Sequence, residues 1–190
     1  MSDVPPTMQL QMLWPEEKTA GIPTLSLPDE YSMRTYRAGD DDEFVQLMQA
    51  AGFDGWNHDM LGGALRKALP DGIFLSVHTQ TAAMVATAMA THNPTDLHTF
   101  GGELGWVAAH PDHRGQRLGL AVCTAVMKRY AAAGYRRIYL QTDDWRLAAI
   151  KTYLKLGFVP FLFAPDMEKR WREVCEKLDW IFEIDRWPRC

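Results

Sequence analysis

Apolar positions along this chain recur with a period of two in some stretches and near 3.6 in others, and the order of those stretches predicts an alternation of strands and helices. Tyr31 to Arg37 reads as a strand. The segment AGDDDEFVQLMQAAG then takes helical spacing, with acidic residues at its start and Gly52 at its stop, as the helix dipole and a glycine cap favour. His58 to Leu69 predicts a second helix, and Ile73 to His78 and Ala82 to Thr91 a strand pair turning at Thr79 to Thr81. Glu103 to Ala109 is the next strand. The helix Arg117 to Ala133 follows, its Leu118, Ala121, Val122, Ala125 and Val126 forming one apolar face. Arg137 to Gln141 reads as a strand, Arg146 to Leu156 as a helix and Phe158 to Phe163 as a strand. Asp166 to Leu178 closes the pattern with a helix, and Trp180 to Asp185 with a last short strand. This order specifies a mixed α/β sheet.

Residues 1–29 stand apart. Pro5, Pro6, Pro15, Pro23 and Pro28 break any regular pattern, so this stretch reads as an irregular arm before a single domain over 30–190. Met8 to Trp14 is apolar enough to cover part of that domain, or a second copy of the chain in a homodimer.

Composition narrows the class. A chain of 190 residues with 47% hydrophobic residues buries a full core, and it holds no run of about 18 apolar residues of the kind that spans a bilayer. MSDVPPTMQLQ lacks the basic start and apolar run of a signal peptide. Cys123, Cys175 and Cys190 are odd in number and lack metal-ligand spacing, which suits a reducing compartment, and the expected location is the cytoplasm. A net charge of −4 argues against nucleic acid as a partner. The basic groups KRY, YRR and KRWR read as solvated helix ends and faces.

The fourth basic group, HRGQR, lies in the one segment with specific chemistry, ELGWVAAHPDHRGQRLG from Glu103 to Gly119. A strand feeding a Gly/Arg loop into a helix exposes backbone N–H groups and the positive end of a helix dipole, where a pyrophosphate would sit. Arg114, Arg117 and the N–H groups of Gln116, Arg117, Leu118 and Gly119 are the candidate phosphate contacts, while Gly115 and Gly119 allow close approach. Alone, the segment reads equally well as a polar turn before an amphipathic helix. No Lys-Ser or Lys-Thr pair follows the last glycine, so a nucleotide-hydrolysing P-loop is a poor match. The triple-glycine turn of a dinucleotide fold is also missing.

A second segment changes the balance. IYLQTDDWRLAAIKTYLKLGFVP, from Ile138 to Pro160, reads as strand, polar turn, helix, glycine stop and strand. Together the two segments resemble the GNAT superfamily of N-acetyltransferases, with its Arg/Gln-x-x-Gly-x-Gly/Ala loop and a later A-I-x-x-Y-x-x-x-G-F pattern. Ala149, Ile150, Tyr153, Gly157 and Phe158 match that pattern position by position, and the resemblance spans roughly residues 31–163. Two departures stand out: Arg117 replaces the middle glycine of the loop, and Arg146 replaces the Asn that often opens the second helix.

The resemblance implies a mostly antiparallel central sheet flanked by helices, with acetyl-CoA as cosubstrate and direct transfer to an amine acceptor. It assigns the pantetheine arm and carbonyl to backbone groups of Val107 and Ala109, the phosphates to residues 114–119, and a cofactor contact to Arg146. Tyr153 becomes the candidate acid for the leaving thiolate. Glu103, alone among apolar residues of its strand, becomes the candidate base, with His110 and His113 as alternatives. Tyr36, the segment Phe53 to Leu61, Trp106 and Trp145 would build an aromatic acceptor pocket. A catalytically silent CoA-binding domain and, less favoured, a nucleotide switch are the competing readings.

Overall fold

The computed structural model describes residues 8–190; Pro5 and Pro6 lie outside the described residues. Its centre is a seven-stranded sheet in the order β2-β3-β4-β5-β6-β1-β7. The strands are β1 (Leu10–Leu13), β2 (Tyr31–Thr35), β3 (Ala68–His78), β4 (Met84–His92), β5 (Gly102–Ala109), β6 (Ile138–Thr142) and β7 (Val159–Pro160). Every neighbouring pair is antiparallel except β5 with β6. The mixed, mostly antiparallel sheet expected from the sequence is therefore present.

Five helices cover it: α1 (Asp41–Ala50), α2 (His58–Leu65), α3 (Leu118–Ala132), α4 (Leu147–Leu156) and α5 (Met167–Leu178). α3, α4 and α5 share one apolar core, whereas α1 and α2 pack into a second with Ile73, Leu75, Met84 and Met89. β4 is buried along almost its whole length, and its alternation decides what each core receives. Ala86, Ala88 and Ala90 present small side chains to Val122 and Val126 in the α3 core, so helix and sheet lie close together.

Two expectations are corrected at the ends of the chain. Within the stretch read as an irregular arm, Leu10–Leu13 is a strand inserted between β6 and β7 and antiparallel to both. Its Leu10 and Met12 are fully buried. The strand forms despite Pro15 just beyond it, and its ladder partners lie far along the chain and leave no local signal. Conversely, the strand expected at Trp180 to Asp185 does not form. Trp180, Phe182 and Ile184 pack on the core, but their backbone joins no ladder and turns into a short 3-10 helix at Ile184–Arg186. The second helix also stops at Leu65, and β3 begins at Ala68.

A tyrosine wedge sets the junction of β4 and β5. The fully buried Tyr130 of α3 puts its hydroxyl between the strands, accepting from Thr91 N–H at 2.8 Å and lying 2.7 Å from the Glu103 carbonyl as donor. The ring occupies the space beside Gly102, where an added Cβ would collide with Tyr130 and Tyr135. Beyond the wedge, buried His98 stacks on Tyr139 at 3.9 Å. Its Nδ1 accepts from Arg137 Nε at 3.1 Å, so Nε2–H donates to Gln11 Oε1 at 2.8 Å and ties β1 to this corner. Burial, with Arg137 beside it, pushes the His98 pKa down from 6.5 to about 4.

Two outcomes are expected. Gly102→Ala should lower stability by about 1–3 kcal/mol, as overpacking against rigid rings does, read from denaturant midpoints. The unfolded chain binds a proton at His98 that the folded chain refuses, so this contribution is present above pH 6.5 and is lost as pH falls toward 4. The loss should reach at most about 3 kcal/mol, and that part of the acid destabilisation should vanish in His98→Asn.

Candidate functional site

β5 and β6 run side by side for only two residue pairs, Gly102 with Ile138 and Glu103 with Tyr139. Beyond them the strands diverge and the ladder is open. The cause lies partly in β5 itself. Opposite β4, Ala108 pairs with Thr87 and Gly105 with Met89, so Trp106 and Val107 together face one residue and form a bulge. Trp106 adopts a left-handed backbone, φ 52°, which is unusual for a bulky side chain. Trp56 at 4.1 Å and Phe53 at 6.2 Å hold its ring from the helical side. After the bulge, Ala108 and His110 turn toward β4, His110 N–H reaching Val85 C=O at 2.8 Å. The alternation leaves the N–H groups of Val107 and Ala109 facing the gap.

Two connected spaces fill this gap. The larger, a cleft of about 840 Å³, runs from Val107, Ala108 and Ala109 along the loop Arg114, Gly115, Arg117, Leu118, Gly119 to one face of α4. Among the described residues, no acceptor takes a hydrogen bond from the N–H groups of Gln116, Arg117, Leu118, Gly119 or Leu120; the first bond of the helix is Ala121 N–H to Arg117 C=O. A Cβ added to Gly119 would meet only open space. These bare donors at a helix N-terminus, beside two exposed arginines, fit a pyrophosphate. The side chain of Gln116 does not line the cleft, and only its N–H group remains a candidate contact.

Arg117 also carries the local strain. It caps α3 in a left-handed conformation, φ 59° and ψ 18°, where glycine fits without cost. The backbone therefore follows the shape of a glycine loop with an arginine in it.

The smaller space, about 370 Å³, lies on the other side of Val107, Phe53, Arg146, Ala149 and Tyr153, which line both. Glu103 projects into it, with Asn93 Nδ2 on one carboxylate oxygen at 2.6 Å and Gln141 Nε2 on the other at 3.1 Å. Asn93 is fixed in turn by Tyr139, whose hydroxyl donates to the Asn93 carbonyl at 2.7 Å. Lys67 Nζ donates to Asn93 Oδ1 at 3.0 Å at the rim. Neither Asn93, Gln141 nor Lys67 carries a sequence signal: they sit on a loop, a strand and a turn, and only the folded sheet brings them together.

Tyr153 lies at the meeting of the two spaces. Burial, and to a smaller degree Cys123 beside it, pushes its phenol well above the usual tyrosine range, so the hydroxyl keeps its proton. Among the described residues its hydroxyl has no hydrogen-bond partner in the protein, and it is not sealed in the core. Arg146 precedes α4, paired with Asp143 at 3.1 Å and stacked against Phe53 at 4.3 Å and Trp145 at 4.6 Å.

The structure thus gathers Glu103, Tyr153, Val107 and Arg146 in one place and the phosphate loop beside them. Other expectations change. His110 accepts from Asp112 N–H within its own turn, and His113 meets the Tyr31 hydroxyl at 3.0 Å; neither lines the cavity of Glu103. Of the expected acceptor lining, Phe53 and Trp106 are in that cavity, while Tyr36 is engaged with Asp41 at 2.8 Å and Trp145 lines only the cleft. In the rest of that segment, Trp56 and Leu61 belong to the core, and Asp54, Gly55, Asn57, His58, Asp59 and Met60 are exposed.

Comparison with known proteins agrees with this geometry. The mycothiol acetyltransferase of Nocardia farcinica is 32% identical over 152 residues, covering 75% of this chain and 50% of that protein. The namesake from Paenarthrobacter aurescens is 27% identical over 164 residues, covering 81% and 50%. The chain spans about half the length of these curated relatives. The fold is shared with a GCN5-related N-acetyltransferase from Sphaerobacter thermophilus, TM-score 0.59 at 21% identity, covering 80% of this chain and 49% of that one. It is shared too with one from Kribbella flavida, TM-score 0.55 at 18% identity, covering 82% and 55%. With the model of the acetyltransferase (GNAT) family matching residues 29–158, across β2 to β6, the phosphate loop and α4, the chain belongs to that family.

Proposed function

We propose that the protein transfers an acetyl group from acetyl-CoA directly to the primary amine of a small molecule or peptide. The observation that carries this reading is the shared cavity of Glu103 and Tyr153, opening onto a cleft whose backbone donors are free. The family uses acetyl-CoA, which brings an acyl group activated as a thioester. Backbone N–H groups of Gln116 to Leu120, with the guanidinium groups of Arg114 and Arg117, would hold its phosphates. The N–H groups of Val107 and Ala109 would bind the extended pantetheine arm as a missing β-strand would be bound, and polarise the acyl carbonyl. Gly115, Leu118 and Arg146 shape the walls between.

Within the cavity, the Glu103 carboxylate would take the proton that the acceptor ammonium must lose. The freed nitrogen forms a bond to the acyl carbon as the carbon–sulfur bond breaks. Tyr153 then gives its phenolic proton to the departing sulfur and regains one from solvent, while the second proton still on the acylated nitrogen, and the one held by Glu103, leave to solvent to give the neutral amide and the free carboxylate. Among the described residues no helix is long and apolar enough to cross a membrane. The three free cysteines, two of them buried, suit a reducing compartment, and the cytoplasm is the proposed location.

The test is release of free CoA with a panel of amines. Glu103→Gln should lower kcat/KM by about 100-fold or more, and Tyr153→Phe by at least about 10-fold, while both retain acetyl-CoA affinity. A chain that binds acetyl-CoA yet acetylates nothing, with or without these substitutions, is a silent binding domain instead. Arg117→Gly should raise stability by about 1 kcal/mol by relieving the left-handed backbone. The same change should weaken acetyl-CoA binding by about 5-fold or more through loss of a charge-assisted contact. Raised stability with unchanged affinity would show that the Arg117 side chain does not read phosphate.

A further inference from the structure

The cavity of Glu103 holds four charged side chains, and two of them already neutralise each other: Arg146 pairs with Asp143. The other two, Glu103 and Lys67, form no ion pair with any side chain among the described residues. Both reach the same Asn93 side chain from opposite ends, Lys67 through Oδ1 at 3.0 Å and Glu103 through Nδ2 at 2.6 Å. An unpaired cation and an unpaired anion therefore face one cavity, separated by no more than one carboxamide and two hydrogen bonds. Asn93 cannot swivel to release either, because its backbone carbonyl and Nδ2 are both engaged by the Tyr139 hydroxyl.

From this arrangement we infer that the acceptor is an amino carboxylate, its amine at Glu103 and its carboxylate at Lys67. The inference rests on the proposed transfer reaction and adds the acceptor's class to it. An α-amino carboxylate with a hydrogen bond at each end has about the span that Asn93 sets between the two charges. Lys67 retains two further N–H donors beyond the one spent on Asn93. The aromatic rings of Phe53 and Trp106 on the same cavity leave room for an apolar or aromatic substituent on the carbon between. A simple alkylamine satisfies only Glu103 and leaves Lys67 unmatched.

The experiment compares free α-amino acids with the corresponding primary carboxamides, each as acceptor with saturating acetyl-CoA, by release of free CoA. The expected result is a kcat/KM for the acids above that for the amides, by about 10-fold or more for the best acid. Lys67→Met should reduce this acid-over-amide ratio by about 10-fold, and Lys67→Arg should preserve most of it. Equal use of acids and amides, or a ratio unchanged in Lys67→Met, overturns the inference while leaving the transfer reaction intact. No acetylation of any amino acid by protein that binds acetyl-CoA and acetylates another amine likewise overturns it. Failure to bind acetyl-CoA overturns the underlying reading, and the inference with it.

Discussion

The site depends on a sheet that comes apart at one place. β5 and β6 pair over two residues and then separate, so the backbone of β5 beyond Glu103 has a neighbour on one side only. In a continuous sheet such groups would be satisfied by the next strand, and leaving them bare in an interior would cost heavily. A solvent-filled cleft removes that cost and leaves the donors available to an extended ligand. The wedge of Tyr130, the absence of a side chain at Gly102 and the bulge at Trp106 and Val107 all act on this short stretch. Together they fix where pairing ends and which groups point into the opening.

Of the six non-glycine residues with a left-handed backbone among the described residues, two, Trp106 and Arg117, line the site. Trp106 and Arg117 each take a left-handed backbone that costs roughly 1–2 kcal/mol outside glycine. Trp106 is held by the rings of Trp56 and Phe53, which come from the segment after α1. That packing couples the second core to the exact shape of β5, so the helices over the sheet help to set the backbone donors. Arg117 has no comparable packing and is exposed, so its strain is offset by the helix it begins.

Most of the helices, the main strands and the loop were legible because their signals are local: an apolar face at helical spacing, a glycine stop, a basic turn at a helix start. The paired motifs also brought Glu103, Tyr153 and the phosphate loop into view. What the sequence concealed is non-local. Leu10–Leu13 looked irregular because its neighbours in the sheet are β6 and β7, far along the chain, and prolines bound it. Trp180 to Asp185 showed an alternating pattern but found no ladder to join. Asn93, Gln141 and Lys67 have ordinary local contexts, and their meaning comes from the hydrogen bonds of Asn93 and Gln141 to one carboxylate and of Lys67 to that same Asn93. Tyr36 and Trp145 erred in the other direction, being aromatic and nearby in sequence pattern yet outside the cavity of Glu103.

The central claim is that the opened edge of β5 and the bare N-terminus of α3 form one ligand site. Amide hydrogen exchange with and without acetyl-CoA tests it directly, since both sets of N–H groups are free in the protein alone. The account predicts new protection at Val107 and Ala109 and at Gln116 to Leu120 together, with little change on the outer strands β2 and β7. Protection confined to another surface, or none at saturating acetyl-CoA, would contradict it.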